Sequence, residues 1–495
     1  MHAPLAIGSR RELFADDYLI DRLDGGARQI LHRPIPREAI LETNKPWEGC
    51  MGAFPTVLKV GGRFRLYYDA WQIDLKSPKL DLVRPPTICV AESADGIHWE
   101  RLPVNLHDYP GAPRNNIVWL GAGDDSWGMH GFAPFLDGNP DCLPEARWKA
   151  FGAGWKKSTA GLYLMTSPDG IRWKLAPNKP ILAGFALDSH NTVQWSAGEG
   201  CYRAYFRHWD KEAFKGGRII MPATSPDLIQ WSKASPLEYP GIPFEQLYTN
   251  NVFPYERAPH VWLGFPARYI ERPWSPSIEG LPELEHRRLR AGVSRRYGTA
   301  VTDTQFMCSR DGVTFRRWSE AFIRPGLRAE GNWAYGDNYA AWGMLETESD
   351  LTGGGRELSI YSTEHYWRGE TKTFRRFTLR LDGFVSINGP LAGGGLTTKP
   401  LIFDGSRLAL NFSASAAGSI RVELQDADGH PVPGYALDDC WETLGDTTDG
   451  TVQWKAGPDV SALAGKPVRL RFDIRDADLY SLRFAATSPA ASAGR

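Results

Sequence analysis

Four stretches of this chain share one short pattern: SADGIHWE from Ser93, SPDGIRWK from Ser167, SPDLIQWS from Ser225 and SRDGVTFRRW from Ser309. In such a segment the Asp carboxylate can bond backbone N–H groups ahead of it. A glycine there accepts positive φ, and the aromatic residue packs under the turn. Strand-like text precedes three of them (TICVAES, GLYLMTS, TQFMCS), so each reads as a hairpin. A fifth, divergent turn is read at Asp382 in LRLDGFVSI. The five turn aspartates, Asp95, Asp169, Asp227, Asp311 and Asp382, recur about every 72 residues on average, a period that suits a repeated four-stranded unit. Five turns predict five propeller blades.

The runs FPTVLKV, GFAPFLD, NTVQW, NVFPYER and YAAWGML are expected as the first strands of the five units. The fold class expected is all-β: a five-bladed β-propeller followed by a C-terminal β-sandwich. Residues 1–388 are assigned to the propeller, including an N-terminal strand. GPLAGGGLTTKP, at 389–400, reads as a linker. The alternating strands of 401–487 read as a sandwich, and 488–495 as a disordered tail.

A chain of 495 residues exceeds the size at which one core keeps growing, and 51 Gly, 36 Pro and 19 Trp favour turns and short strands over long helices. The formal charge of −1 gives no reason to expect nucleic acid or membrane as a partner; a neutral oligosaccharide fits better. No secretion signal and no long apolar run are read, so a cytoplasmic location is expected. Six widely spaced cysteines without a CxxC pair agree with reduced thiols. No cofactor is expected. His130, His190, His208 and His365 stand in different blades with no HExxH, which argues against zinc, while a structural Ca²⁺ would leave little sequence trace.

Ligands of propellers meet residues at the starts of the innermost strands. The polar residues at those places are Glu48 in KPWEGCMGAFPTV, Asp125 and His130 in DDSWGMHGFAPF, and Asp188 and His190 in LDSHNTVQW. FEQLYTNNVFPY adds Glu245, Tyr248 and Asn250, and YGDNYAAWG adds Asp337 and Asn338. Acids beside aromatics suit sugar chemistry: carboxylates bond hydroxyls and catalyse, and aromatic faces pack on apolar sugar faces. Glycoside cleavage needs one carboxyl to protonate the leaving oxygen and a second to attack or to activate water. Asp188, Glu245, Asp337 and Glu48 are the candidates for these roles. Arg207 and His208 in YRAYFRHWD, Arg268 in GFPARY and Glu364 in STEHYWRG are further candidates for holding substrate, an arginine pair being suited to a carboxylate or phosphate.

With its marks LFADDYLID, KPWEG, EQLYTNNVFPYERAPH and NWAYGDNYAAWG, the chain resembles an uncharacterised branch of bacterial propeller proteins. In architecture it is similar to the furanosidase glycoside hydrolases of families 32 and 43 and to the phosphorylases of family 130. The motifs WMNDPNG, RDP and ECP of such enzymes are absent, so no catalytic residue is carried over one for one. The resemblance implies a glycoside hydrolase or transglycosylase acting on a small, furanosidic oligosaccharide. A non-catalytic carbohydrate-binding propeller, a phosphorylase and an interaction scaffold are the alternatives. The insertion IERPWSPSIEGLPELEHRRLRAGVSRRYGTAV is expected to wall one end of the groove or to meet a second subunit in a homo-oligomer.

Overall fold

In the computed structural model the residues described are 3–486, except 53, 80, 85, 121–129, 155–159, 178, 211–215, 368 and 370. Two compact units divide the chain: Pro34–Pro254 with Trp262–Leu379, and Met1–Arg33 with Tyr255–Val261 and Arg380–Arg495. Among the described residues no helix is long and apolar enough to cross a membrane.

The larger unit is the five-bladed propeller. Thr56–Val60, Arg63–Ala70, Thr87–Ser93 and Trp99–Arg101 form blade one, with Ile117–Leu120 added beside Thr87–Ser93. Blade two is His130–Leu136, Trp148–Gly154, Gly161–Ser167 and Lys174–Leu175, and blade three is Thr192–Ser196, Cys201–Asp210 and Gly217–Ser225. Blade four is Val252–Tyr255, Ala258–Gly264, Met307–Ser309 and Arg316–Arg317. Blade five is Leu345–Glu348, Arg356–Glu364 and Thr373–Arg380, and its fourth strand is Ile35–Glu42 from the opposite end of the chain. That pairing closes the ring. Blade strands such as TICVAES and GLYLMTS are buried almost throughout, since both of their faces lie between neighbours.

The four repeated turns form as their residue types require. Asp95 Oδ1 accepts from the N–H groups of Ile97 and His98, both at 2.8 Å, and Asp169, Asp227 and Asp311 repeat this pair. The turns also join blades. Tyr361 of blade five donates its hydroxyl to Gly96 O in blade one, Tyr67 of blade one to Gly170 O in blade two, and Tyr205 of blade three to Gly312 O in blade four. Where blade two carries Phe151 in place of the tyrosine, the turn of blade three carries Leu228 in place of the glycine.

Residues 1–33 do not join the propeller as expected. Leu5–Gly8 pairs with Leu401–Phe403, Glu12–Leu13 with Arg469–Ala485, Ile20–Asp24 with Gly394–Thr398, and Arg28–Leu31 with Val385–Gly389. The segment read as a linker therefore contains a strand with partners on both edges, Gly394–Thr398. Phe403, Leu408, Phe412, Val422, Trp454, Phe472 and Phe484 lie in the core of this unit.

Asp382 differs from its reading as a fifth hairpin turn. Its fully buried carboxylate accepts from Tyr255 and Arg257 at 2.8 Å, Ser481 at 2.9 Å and Asn411 at 3.1 Å, and pairs with Arg11 at 3.1 Å. Burial works to raise its pKa, but the charge of Arg11 and the bond from Arg257 hold it below the ordinary carboxylate value. A depressed folded pKa contributes stability above the unfolded value, and that contribution is lost as pH falls through the folded one. Asp382→Asn is expected to cost about 3–5 kcal/mol at neutral pH, with the gap to the wild type closing below about pH 3.9; denaturant melts at several pH values measure it. Tyr205→Phe, which leaves Gly312 O without this donor, is expected to cost about 1 kcal/mol in the same assay.

Candidate active site

Of the four carboxylates read as catalytic, three are committed elsewhere. Glu48 is fully buried, accepting from Tyr68 at 2.5 Å and from Arg101 at 2.8 and 2.7 Å. Glu245 is held by Arg268 at 2.9 Å, by Gln305 at 2.9 Å and by Arg317. Burial opposes its ionisation, but these donors bring its pKa below the usual range. Asp337 accepts from the backbone N–H of Ala334 at 3.2 Å and of Tyr366 at 2.9 Å, so it shapes a turn. Each of these three carboxylates is thus occupied by protein partners.

Asp188 is different. Its side chain is 44% exposed and its Oδ1 lies 2.9 Å from His130 Nε2, with Arg207 at 3.7 Å from Oδ2. Burial of the surrounding site would raise its pKa. The His130 hydrogen bond and the charges of Arg207 and Arg218 prevail and hold it well below the carboxylate norm. Asp188 is therefore ionised at neutral pH, which suits a nucleophile, a base or a hydroxyl acceptor and not a proton donor. His130 is itself set against the Trp71 ring at 4.7 Å and lies 4.0 Å from Asp69. Asp69, whose pKa is raised by burial, accepts from the backbone N–H of Gly131 at 2.9 Å. Lys372 beneath it donates to the carbonyls of Met51, Gly52 and Asp69, and burial lowers its pKa to about 8.

Around this carboxylate stands an aromatic wall. Arg207 lies 5.0 Å from the Tyr248 ring centre, and Arg218 stacks on Trp209, Tyr248 and Tyr269. The Tyr335 hydroxyl donates to that of Tyr248 at 3.0 Å, and Tyr335 packs on Tyr366 and Trp367. Burial raises the phenols of Tyr248, Tyr335, Tyr339 and Tyr366, with the negative charge of Asp188 adding to this at Tyr248, Tyr335 and Tyr366. Among the described residues Trp71 Nε1, Trp367 Nε1 and the Tyr339 hydroxyl are buried without a hydrogen-bond partner.

The remaining candidates hold the scaffold. His190 sits between Thr56 at 3.2 Å and Asn251 at 3.1 Å, and burial brings its pKa down to about 3, so it is neutral. Asn250 clamps inner strands through Thr192 Oγ1 and the carbonyls of His190 and Tyr205. His208 alternates to the opposite strand face from Arg207 and meets Phe185. Arg268 pairs with Asp303 at 2.7 Å and with Glu245, Asn338 donates to Thr302 O, and Glu364 accepts from Arg375 at 2.8 and 2.9 Å. Asp125 lies outside the described residues.

Sequence reading brought together Asp188, His130, Arg207 and Tyr248, and missed Arg218, Asp69, Lys372 and the wall of Trp71, Tyr335, Tyr366 and Trp367. Trp71 at the end of RFRLYYDAW and the HYW of STEHYWRG were the available signals.

No family model matches the sequence, and no curated protein matches it. Solved structures similar in fold are glycoside hydrolases and other carbohydrate-active proteins. A thermostable family-43 glycoside hydrolase is 14% identical over 70% of this chain and 96% of its own, with a TM-score of 0.43. An endo-arabinase from Bacteroides thetaiotaomicron is 10% identical over 69% and 98%, with a TM-score of 0.40. An N-acetylgalactosamine deacetylase from F. plautii, solved with blood group B trisaccharide, is 10% identical over 71% and 96%, with a TM-score of 0.43. Fold alone does not fix a reaction, which rests with the residues of the site.

Gly131 lets His130 reach Asp188. Its φ is +66°, and an added Cβ would lie 2.2 Å from Ser189 O, in the loop that bears Asp188. Gly131→Ala is expected to destabilise the propeller by about 1–3 kcal/mol, read as a lowered thermal midpoint.

Proposed function

We propose that this protein is a carbohydrate-active enzyme that cleaves a glycosidic bond at the Asp188 site. The observation that carries the reading is one carboxylate, half-buried and ionised, fixed by His130 and two arginines beside an aromatic cluster. In this reading a sugar ring is held beside the Trp and Tyr cluster, with its hydroxyls bonding the accessible oxygens of Asp188. Asp188 attacks the anomeric carbon, or draws the proton from a water that does, as the bond to the glycosidic oxygen breaks and that oxygen departs with a proton taken from solvent water. His130 orients its carboxylate, with Asp69 behind the ring. The second unit is read as an accessory β-sandwich, and the substrate as a small oligosaccharide, furanosidic in kind.

A second reading, carbohydrate binding without turnover, is favoured by the commitment of Glu48, Glu245 and Asp337 to structural partners. There Asp188 serves only as an acceptor for hydroxyls.

Activated aryl furanosides separate the two readings, because a good leaving group needs little protonation. Released aryl alcohol, measured with and without phosphate, is expected for the wild type. Asp188→Asn is expected to lower kcat by at least about 100-fold at an unchanged thermal midpoint. Glu245→Gln, which unpairs Arg317, is expected to lower stability by about 1–3 kcal/mol with its kcat retained at a temperature where it is folded. Sugar binding without release of the aryl group by the wild type would replace the first reading by the second.

A further inference from the structure

A cavity of about 1180 Å³ opens beside the ribbon of Ala267–Ile270 and Val301–Thr304. Arg268 and Ile270 line it, whereas Tyr269 between them joins the aromatic cluster of the Asp188 site. Alternation along the strand thus puts the two sites on opposite faces of one ribbon. The outer wall is the insertion after Ile270, which carries the helices Pro276–Glu279, Leu284–Ala291 and Arg295–Thr299.

This wall is tied down from within. Arg287 is fully buried and donates to the carbonyls of Pro282, Gly298 and Trp333, and Arg290 to those of Ser77 and Lys79. Trp333, which lines the cavity, is held by Arg287 at its carbonyl and by the bond from its Nε1 to Gly326 O at 3.0 Å. The carboxylates of Glu245 and Asp303 at the lining are neutralised by Arg268 and Arg317. Arg272 and Arg324 also line it, and among the described residues neither has an ion pair or side-chain hydrogen bond; Arg328 donates only to Gly280 O. Three guanidinium groups without a carboxylate partner thus share one cavity with the exposed carboxylate of Glu320, an indole and the apolar side chains of Ile270, Ile278 and Leu281, and the unpaired groups keep an excess of positive charge.

We propose that this cavity is a binding site for a uronic-acid-bearing oligosaccharide. The guanidinium forks match sugar carboxylates in geometry and charge, and the indole and aliphatic groups suit the apolar faces of the rings. The volume exceeds that of a typical small-molecule pocket and admits more than one sugar unit. The choice of a sugar as ligand rests on the reading of the Asp188 site, while the acidic character follows from the arginines of this cavity.

Titration calorimetry of the full chain with trigalacturonic acid tests it, with the neutral trisaccharide galactotriose as control. The wild type is expected to bind the acidic trisaccharide, more weakly at high salt, and to bind the neutral one at least tenfold more weakly. The double variant Arg272→Gln/Arg324→Gln, both positions being exposed, is expected to keep its thermal midpoint and to lose at least tenfold in affinity. Asp188→Asn is expected to bind as the wild type does, whatever its turnover on aryl glycosides. No binding by the wild type, or equal binding by the arginine double variant, overturns the proposal. Binding that Asp188→Asn abolishes and the arginine variant keeps overturns it as well, by moving the acidic sugar to the other site.

Discussion

The propeller depends on a bond that crosses from blade to blade. A serine–aspartate turn exposes one glycine carbonyl, and a buried tyrosine hydroxyl from the preceding blade donates to it, at 2.6 Å from Tyr361, 2.9 Å from Tyr67 and 2.9 Å from Tyr205. The turn needs Asp to satisfy two backbone N–H groups, and the glycines at 96, 170 and 312 adopt φ between +71° and +77°. The buried tyrosine needs an acceptor, and the turn carbonyl supplies it. Register between neighbouring blades is thereby tied to side-chain chemistry, and with it the placement of every residue at the starts of the inner strands.

On that ring the site is assembled from all five blades, with Trp71 after the second strand of blade one and Tyr366 and Trp367 after that of blade five. His130 opens an inner strand of blade two, Asp188 precedes that of blade three, and Tyr248 precedes that of blade four. Gly131 allows the first two to meet, and Arg207 and Arg218, on neighbouring strands of blade three, stack on the third. The electrostatic outcome follows from position: a carboxylate faced by a histidine and two arginines is ionised, and phenols sealed from water stay protonated. The site joins one charge to several neutral donors beside apolar ring faces. A sugar presents the complement of that set.

The repeat was legible because its chemistry is local: Asp and Gly at fixed offsets define a turn whatever lies around it. Asp188 and His130 were legible from their place before inner strands. What sequence could not tell was which acids would be taken. Glu48 meets Arg101, and Glu245 meets Arg317, both far along the chain, and nothing near either glutamate announces its partner. Asp382 fits the turn pattern by spacing, yet its ligands are Arg11, Tyr255, Arg257, Asn411 and Ser481, which only tertiary structure gathers. The strands of residues 1–33 were misplaced for the same reason, since a strand's partner is a non-local fact.

The most direct measurement of the central claim is a crystal structure of Asp188→Asn with a glycan that the wild type cleaves or binds. The account predicts the anomeric carbon facing the substituted side chain, with the ring packed on the wall of Trp71, Tyr248, Tyr335 and Trp367. A glycan bound with no contact to residue 188 or to that wall would contradict it.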